Sequence, residues 1–318
     1  GKLQTEAFIE LQSFKPDIKG VGTRVASGKI INELARNIPE LMGGSADLTP
    51  STKTWIENST SYQKKSPEGR NIHFGIREHA MGAIVNGMAV FGGIIPFGST
   101  FLVFSDYMRT PLRLSALSGY PSIWVFTHDS IGVGEDGPTH QPIEQLASLR
   151  AIPGMVVIRP SDANETMAAW KVAISRRNGP TAIILTRQDL PIYDRSIYKA
   201  EQLEKGAYVL HESDSGKPDI ILMASGSEVD LILQASKQLS ELSVKSRVVS
   251  FPSWELFSNQ SKEYKGSVLA PGISARLAVE AGISQGWEKW VGEGGTILGI
   301  DRFGSSAPHR ELFKRFGF

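Results

Sequence analysis

Short apolar runs alternate with helical patterns along nearly the whole chain, and this alternation constrains the fold more than any other feature of the sequence. Strands that alternate with helices form parallel sheets covered by helices on both faces. In the first part of the chain, the predicted strands are 41–42, 72–74, 94–97, 123–127, 155–159 and 182–186. The predicted helices are 23–37, 76–91, 106–118, 142–149 and 162–176, with Pro142 in a first turn and Ser161 as an N-cap.

The length of 318 residues suggests two domains, since a domain averages roughly 150 residues. A polar stretch, 188–205, has little periodicity, and strands then resume at 220–224, 247–251, 275–280 and 296–300. We predict an α/β fold with two domains, each a mostly parallel sheet flanked by helices. Their bounds are 1–190 and 206–318, joined by a linker at 191–205. The second domain shows no catalytic cluster, so we expect it to serve packing and subunit contacts.

Composition excludes several classes of protein. The net charge is +1, which gives no reason to expect a nucleic-acid or membrane partner. The chain has no cysteine, which rules out disulfides and thiolate chemistry and fits a reducing, cytoplasmic compartment. Residues 80–105 carry no charge and could span a bilayer by length, but their glycines and Pro96 favour a buried helix, a turn and a strand.

The most unusual segment is 128–141, where two histidines, three carboxylates and three glycines follow a predicted strand. A dinucleotide loop fits poorly, because Glu135, Asp136 and Pro138 stand where bare backbone amides are needed. A metal site made of both histidines, Asp129 and Asp136 lacks a short ligand spacing. A satisfied polar turn stays open. We favour an active-site loop that binds hydroxyls and a phosphate, with glycines that let the substrate approach closely.

Glu78 opens a long uncharged helix, where a lone carboxylate is costly unless it has a partner. It is a surface partner of Arg77, an acid at a helix N-terminus, or a carboxyl with a raised pKa that bonds a heteroaromatic nitrogen. The aromatic residues Phe101, Phe104 and Tyr107 are spaced by three, which is typical of a core stripe and also of a cofactor wall.

Further candidates lie in loops and at element ends. The polar loop 43–70 follows a predicted strand, a position where ligands bind in α/β proteins. Three side chains are each either solvated surface groups or phosphate ligands: Arg24, Ser51 and Arg187. The segment 225–228 is a helix start that could hold an anion, although a capping motif is the preferred interpretation.

Taken together, these segments resemble the C-terminal half of a transketolase, in which a pyrimidine-binding domain precedes a C-terminal domain. The resemblance covers nearly the whole chain and is strongest at 43–51, 75–81, 101–107 and 128–144. It implies a thiamine-diphosphate-dependent enzyme that transfers a two-carbon ketol unit from a ketose phosphate, such as xylulose 5-phosphate, to an aldose phosphate.

The resemblance also implies roles for individual residues. Glu78 would bond the N1′ atom of the cofactor's aminopyrimidine, and Asp47 would lie beside the cofactor. The pyrimidine ring would be enclosed by Phe101, Phe104 and Tyr107. The hydroxyls near the substrate carbonyl would be held by Asp136 and His140. The sugar phosphate would be bound by Arg24, Ser51, His128 and Arg187. The implied catalytic residues are Glu78, His128, Asp136 and His140.

The sequence departs from the family pattern in one respect, because it contains no Gly-Asp-Gly motif for the diphosphate and its metal. The resemblance therefore implies a separate chain that carries this half and the ligands of Mg²⁺ or Ca²⁺, in a two-plus-two heterotetramer, or else a fragment. The alternatives are a β-subunit of a 2-oxo acid dehydrogenase and a non-catalytic assembly or regulatory homologue. The loop 128–144 and the phosphate set disfavour the first, and the intact Glu78, Asp136 and His140 disfavour the second.

Overall fold

The computed structural model of the chain describes residues 11–198, 200, 202–214 and 216–318. The first part contains β1 (Asp17–Gly22), α1 (Thr23–Asn37), β2 (Leu41–Ser45), α2 (Thr49–Thr52), β3 (Asn71–His73), α3 (Glu78–Phe91), β4 (Ile95–Phe101), a 3₁₀ segment (Leu102–Met108), α4 (Arg109–Ser118), β5 (Ile123–Thr127), a 3₁₀ turn (Ile131–Val133), α5 (Gln145–Arg150), β6 (Val156–Ile158), α6 (Ala163–Ser175), β7 (Thr181–Leu185) and β8 (Asp189–Ile192).

Six of these strands form one parallel sheet in the order β3-β2-β4-β5-β7-β6. Both faces of this sheet are buried. In β5, Val125 packs on one face with Ile30 of α1 and Trp170 of α6. Phe126 packs on the other face with Met81 of α3. The predicted parallel sheet with helices on both faces is therefore confirmed, and this sheet with its helices is called the first domain.

The second domain is a smaller sheet with its own helices. After a 3₁₀ turn (Leu203–Lys205) come β9 (Tyr208–Glu212), β10 (Ile220–Ala224), α7 (Glu228–Glu241), β11 (Ser246–Ser250), α8 (Trp254–Ser258), α9 (Lys262–Leu269), β12 (Arg276–Val279), α10 (Glu288–Val291), β13 (Thr296–Leu298) and α11 (His309–Arg315). The strand order is β13-β12-β10-β11-β9. Only β9 runs antiparallel to its neighbour, so this sheet is mixed but mostly parallel.

Two strands were not predicted from the sequence in the stretch between the domains and just after it. β8 lies inside the segment predicted as a structureless linker and pairs antiparallel with β1. β9 forms the antiparallel edge of the second sheet. The boundaries 1–190, 191–205 and 206–318 stay predictions. Residues 1–10 of the predicted first domain, and 199 and 201 of the predicted linker, lie outside the described residues.

Three predictions about helix caps and first turns are wrong. The N-cap of α6 is Asp162, whose carboxylate accepts a hydrogen bond from the Glu165 amide at 2.8 Å, so the assignment of Ser161 was wrong. α5 begins at Gln145 and leaves Pro142 outside the helix. At 225–228 the predicted capping motif is also wrong, because the side chain of Ser227 makes no cap bond at the start of α7.

The uncharged stretch 80–105 contains the predicted helix, turn and strand, but the helix is buried on one face only, since Ile84 and Phe91 are exposed. In the described part of the chain, every helix is too short or too polar to cross a bilayer. Packing explains why position 82 is a glycine, because a Cβ atom there would lie 2.6 Å from a ring carbon of Pro111. A side chain at this position would therefore push α3 away from α4 and move the beginning of α3, where Glu78 lies.

Candidate active site

The predicted site residues follow strands that are neighbours in the first sheet. Asp47 follows β2, Glu78 follows β3, Phe104 and Tyr107 follow β4, and His140 follows β5. These five side chains line one open cleft of about 580 Å³. A parallel sheet brings the carboxyl ends of its strands to the same edge, which is why segments far apart in the sequence meet here.

Glu78 is the first residue of α3, and its side chain is only 8% exposed. Arg77 donates to the backbone oxygen of Phe74 at 2.9 Å and makes no ion pair with Glu78. Among the described residues, no donor is within hydrogen-bonding distance of the Glu78 carboxyl. The surface-pair interpretation is therefore wrong, and a nearly buried carboxyl is left free to bond a ligand.

The aromatic residues form a continuous stack along one side of the cleft. The Phe104 ring lies 6.0 Å from the Tyr107 ring and 5.8 Å from the Phe101 ring, with small interplanar angles. Phe101 also stacks on His128, with the ring centres 3.7 Å apart. Tyr107 is exposed at one end of the stack, whereas Phe101 is buried and is not among the residues that line the cleft. Phe101 therefore supports this aromatic wall from behind.

His140 is fixed by contacts on two sides. Its ring packs edge-on against Phe104, with the centres 5.6 Å apart, and against Phe101 at 6.3 Å. Its Nδ1 atom lies 2.9 Å from the Thr139 hydroxyl. Because these contacts hold the ring, its edge is directed at the cleft in a defined position.

His128 lies behind the cleft and is held in an uncommon backbone conformation. Its φ is +62°, in the left-handed region, as is that of Asp47. Non-glycine residues rarely adopt this conformation, which tends to occur at functional sites. The His128 Nδ1 atom lies 2.8 Å from the Thr127 hydroxyl. Burial, followed by the positive charges of Arg24 and Arg187, lowers the pKa of His128 to about 3. The imidazole is therefore neutral at physiological pH.

Arg24 and Arg187 are brought together by a polar link between α1 and the end of β7. The Thr23 amide donates to the Thr186 hydroxyl at 3.0 Å, which places the next residue of each segment side by side. Burial, and then the charge of Arg187, lowers the pKa of Arg24. Two cations held this close favour an anionic ligand between them. Arg24 also donates to the backbone oxygen of Ser51 at 2.6 Å, which joins the loop after β2 to this group.

The structure argues against two interpretations of the segment 128–141, the metal site and the dinucleotide loop. Asp129 pairs with Arg159, with Nε and Oδ2 2.9 Å apart, and so is not available to a metal. Within the described residues, no three His, Asp or Glu side chains lie close enough to share a metal ion. The dinucleotide interpretation also fails, since Gln188 fills the space beside Gly132. Asp136 is exposed in the loop and does not line the cleft.

Sequence reasoning missed two residues that shape this region. Arg159 is fully buried and pairs with Asp129, the neighbour of His128. The sequence offers little indication that Arg159 is buried, because an arginine at the end of an apolar run is usually exposed. Gln141 is buried next to His140, and its side chain bonds backbone groups on both sides of the loop. A buried glutamine is not distinguishable from a surface one by spacing alone.

The fold and the cleft define an α/β protein of two domains, with a ligand site at the carboxyl ends of a parallel sheet. Two family descriptions match it: "Transketolase, pyrimidine binding domain" at residues 19–192 and "Transketolase-like TK C-terminal domain" at residues 206–318. The chain therefore belongs to the transketolase family, as its sequence motifs indicated.

Its relatives differ in length. The chain is 51% identical over 310 residues to a transketolase from Aquifex aeolicus, which covers 97% of this chain and 44% of that protein. It is similar to the structure of a transketolase from Pichia stipitis, with 45% identity, a TM-score of 0.91 and coverage of 96% and 45%. A structure described as a split gene transketolase, an inactive beta4 tetramer, gives 26% identity, a TM-score of 0.73 and 94% coverage of both chains. The chain thus spans less than half the length of the first two relatives.

Proposed function

We propose that this chain is the pyrimidine-binding subunit of a thiamine-diphosphate-dependent transketolase that works with a separate diphosphate-binding chain. The observation that carries the proposal is the placement of the unpartnered Glu78 carboxyl opposite the wall of Phe104 and Tyr107 in one cleft. The similar structure described as a split gene transketolase is the precedent for a two-chain arrangement.

The cleft suits the aminopyrimidine of the cofactor. A nearly buried carboxyl without a donor needs a polar partner, and a flat ring nitrogen beside aromatic side chains provides one. When bound, thiamine diphosphate supplies the carbon centre that accepts the two-carbon unit. The diphosphate and Mg²⁺ or Ca²⁺ would be held by the partner chain.

The residues of this chain would divide the remaining tasks. Glu78, the first residue of α3, would hold a proton at the ring nitrogen. Phe104 and Tyr107 would exclude water from the reacting centre. His140 and Asp136, on the loop after β5, would bind the substrate hydroxyls. Glu78 follows β3, whereas the loop follows β5. The cofactor and the substrate would therefore be held by different elements of the fold.

The phosphate of the sugar would lie near Arg24 and Arg187. The charge of Arg187, after burial, lowers the pKa of Arg24, so an anion between the two guanidinium groups would remove a repulsion. His128, which is neutral, would contribute a hydrogen bond and no charge. Transketolase structures from Pichia stipitis are described as complexes with xylulose 5-phosphate and sedoheptulose 7-phosphate. We propose ketose phosphates of this class as donors and aldose phosphates as acceptors.

The partner would cover the exposed apolar surface of α3 and the neighbouring helix. Ile76, Ile84 and Phe91 project from α3 and its start, and Leu117 projects from α4. Exposed apolar clusters of this kind mark interaction sites. The surface is continuous with the cleft, because Ile76 lines both. A diphosphate-binding chain seated there would close the cleft over the cofactor, and two copies of each chain would give the proposed heterotetramer.

Purification of the chain from its native source, followed by identification of what accompanies it, tests this proposal. A stoichiometric second chain with a Gly-Asp-Gly…Asn motif, and ketol transfer from xylulose 5-phosphate only by the mixture, would support it. In that complex Glu78→Ala should lower turnover by at least about 10²-fold, the usual minimum for a proton-transferring group. Glu241→Ala, at the exposed end of α7, is the matched control.

Three results would count against the proposal. Near-wild-type turnover by Glu78→Ala would contradict the role of Glu78, on which the proposal depends. Activity on pyruvate with a lipoyl acceptor, and none on sugar phosphates, would favour the 2-oxo acid dehydrogenase alternative. A chain that purifies alone and does not bind thiamine diphosphate would be a fragment or a non-catalytic homologue.

A further inference from the structure

Residues of the second domain bind the loop that carries Asp136 and His140. The side-chain amide of Gln141 is buried and donates two hydrogen bonds, one to the Gly134 oxygen at 2.7 Å and one to the Ser305 oxygen at 2.9 Å. The first bond closes the loop on itself, and the second ties it to the segment before α11. A single side chain therefore bonds both within the loop and across to the second domain.

Two neighbouring contacts reinforce this attachment. The Ser306 hydroxyl donates to the Glu135 backbone oxygen at 2.5 Å. At Gly304, the three atoms nearest to an added Cβ atom would all belong to Gln141, the closest being its Oε1 atom at 1.7 Å. The second domain can approach this closely only because position 304 has no side chain.

The loop is also held near its ends, where Ile131 and Ile143 pack with Ile300 and Leu312 of the second domain. Between these ends it has a few backbone bonds of its own. Gly137 donates to Gly134, and the amides of His140 and Gln141 both donate to the Gly137 oxygen, at 3.0 and 3.1 Å. These bonds shape the turn but do not fix it against the cleft. The edge-on packing of His140 on Phe104 then depends on where Gln141 is held, since the two residues are adjacent.

We infer that Gly304–Ser306 of the second domain positions the substrate-binding loop, with Gln141 as the positioning residue through which it acts. This inference rests on the proposed function, since it assigns Gln141 a task in binding the ketose phosphate. It gives the second domain a part in the reaction beyond the packing and subunit contacts expected from the sequence. Gln141 itself touches neither cofactor nor substrate in this scheme.

The sharpest test adds one methyl group in the second domain. Gly304→Ala places a Cβ atom against Gln141, and its backbone is outside the left-handed region, so the change does not strain position 304 itself. Gly272→Ala is the matched control, because a Cβ there meets only the flexible end of Lys217 at 3.5 Å. In the reconstituted complex, Gly304→Ala should raise the KM for xylulose 5-phosphate and leave the Kd for thiamine diphosphate unchanged.

The expected loss of kcat/KM is about 10- to 100-fold, since a misplacement of about 1 Å can cost about 10²-fold. Gln141→Ala should show a loss of its own, and adding Gly304→Ala to it should cost nothing more, because the obstructed side chain is gone. Equal losses from Gly304→Ala in both backgrounds would overturn the inference. Ser306→Ala, which removes only the bond to Glu135, serves as a second variant if Gly304→Ala does not fold.

Hydrogen exchange in this chain alone separates the inference from the proposed function. Gly304→Ala should speed exchange of the His140 and Gln141 amides and leave the amides of β5 unchanged. Unchanged exchange at His140 and Gln141 would overturn the inference even if the complex is an active transketolase. If Gly304→Ala speeds exchange of these amides but the wild-type complex has no ketol transfer, the positioning of the loop by the second domain would be supported. The proposed function would then be contradicted.

Discussion

Arg159, at the end of β6, forms a fully buried ion pair with Glu228, the first residue of α7, and so joins the first domain to the second by a charged contact. The same guanidinium lies 2.8 Å from the Asp129 carboxylate, next to His128. Burial alone would lower the pKa of Arg159, but the charges of Glu228 and Asp129 raise it above its usual value. The arginine therefore stays charged, and its position depends on both carboxylates.

Removal of one carboxylate from this group should be costly. We expect Glu228→Gln to reduce the free energy of unfolding by about 3–5 kcal/mol, because it leaves part of a buried charge without compensation. Glu212→Gln is the control, since the Glu212–Arg247 pair is partly exposed and should contribute at most about 1 kcal/mol. Urea unfolding of both variants measures the difference. Equal losses of unfolding free energy in the two variants would show that the buried Arg159–Glu228 pair contributes no more to stability than the partly exposed pair.

A second buried pair between the domains makes stability depend on acidity. Arg150 binds Glu280 through two hydrogen bonds, at 2.6 and 2.8 Å. Burial by itself would raise the pKa of Glu280, but Arg150 and then Arg159 lower it, to about 2 from 4.5. Because the folded-state pKa is below the unfolded one, the stability from Glu280 is complete above pH 4.5 and is lost as the pH falls toward 2.

Thermal unfolding of Glu280→Gln against the wild type checks this dependence. The gap in Tm should be constant from pH 7 to pH 5 and should narrow below pH 4.5, where the wild-type carboxylate begins to lose its advantage. A gap that stays the same down to pH 3.5 would contradict the assignment. Ser284→Ala, which loses bonds to Asp301 within the second domain only, controls for general loss of hydrogen bonding.

The parallel sheet and the gathering of site residues at one edge could be predicted because their signals are local. β5 matches its predicted bounds, since each of its residues is buried and the run is apolar throughout. β1 was missed because Asp17–Gly22 contains an aspartate, a lysine and two glycines and is stabilised by pairing with β8. Asp129 was considered for a metal site, but its partner Arg159 is 30 residues away in the sequence. Pairings over such distances leave no pattern in a single sequence.

His128 should remain neutral through the physiological range. Its pKa is lowered to about 3 by burial and then by Arg24 and Arg187, so its NMR resonances should not titrate between pH 8 and pH 5. Because the folded-state pKa is below 6.5, the stability that this neutral ring provides is present above pH 6.5 and declines as the pH falls. The same histidine in the chain unfolded in urea should titrate near 6.5. A folded-state midpoint above pH 6 would contradict this lowering of the His128 pKa by burial and the two arginines.

The apolar surface on α3 yields the last prediction, which concerns binding and not folding. Phe91 is 90% exposed at the end of α3, so Phe91→Asp should change the free energy of unfolding of this chain by no more than about 0.5 kcal/mol. If the partner chain covers Phe91, the same change should weaken the complex by about 2 kcal/mol or more, as for a buried aromatic anchor. Leu242→Asp is the control, because Leu242 is 74% exposed in the second domain, away from the cleft. Sedimentation of each variant with the partner chain measures both affinities, and an equal effect of the two changes would place the interface elsewhere.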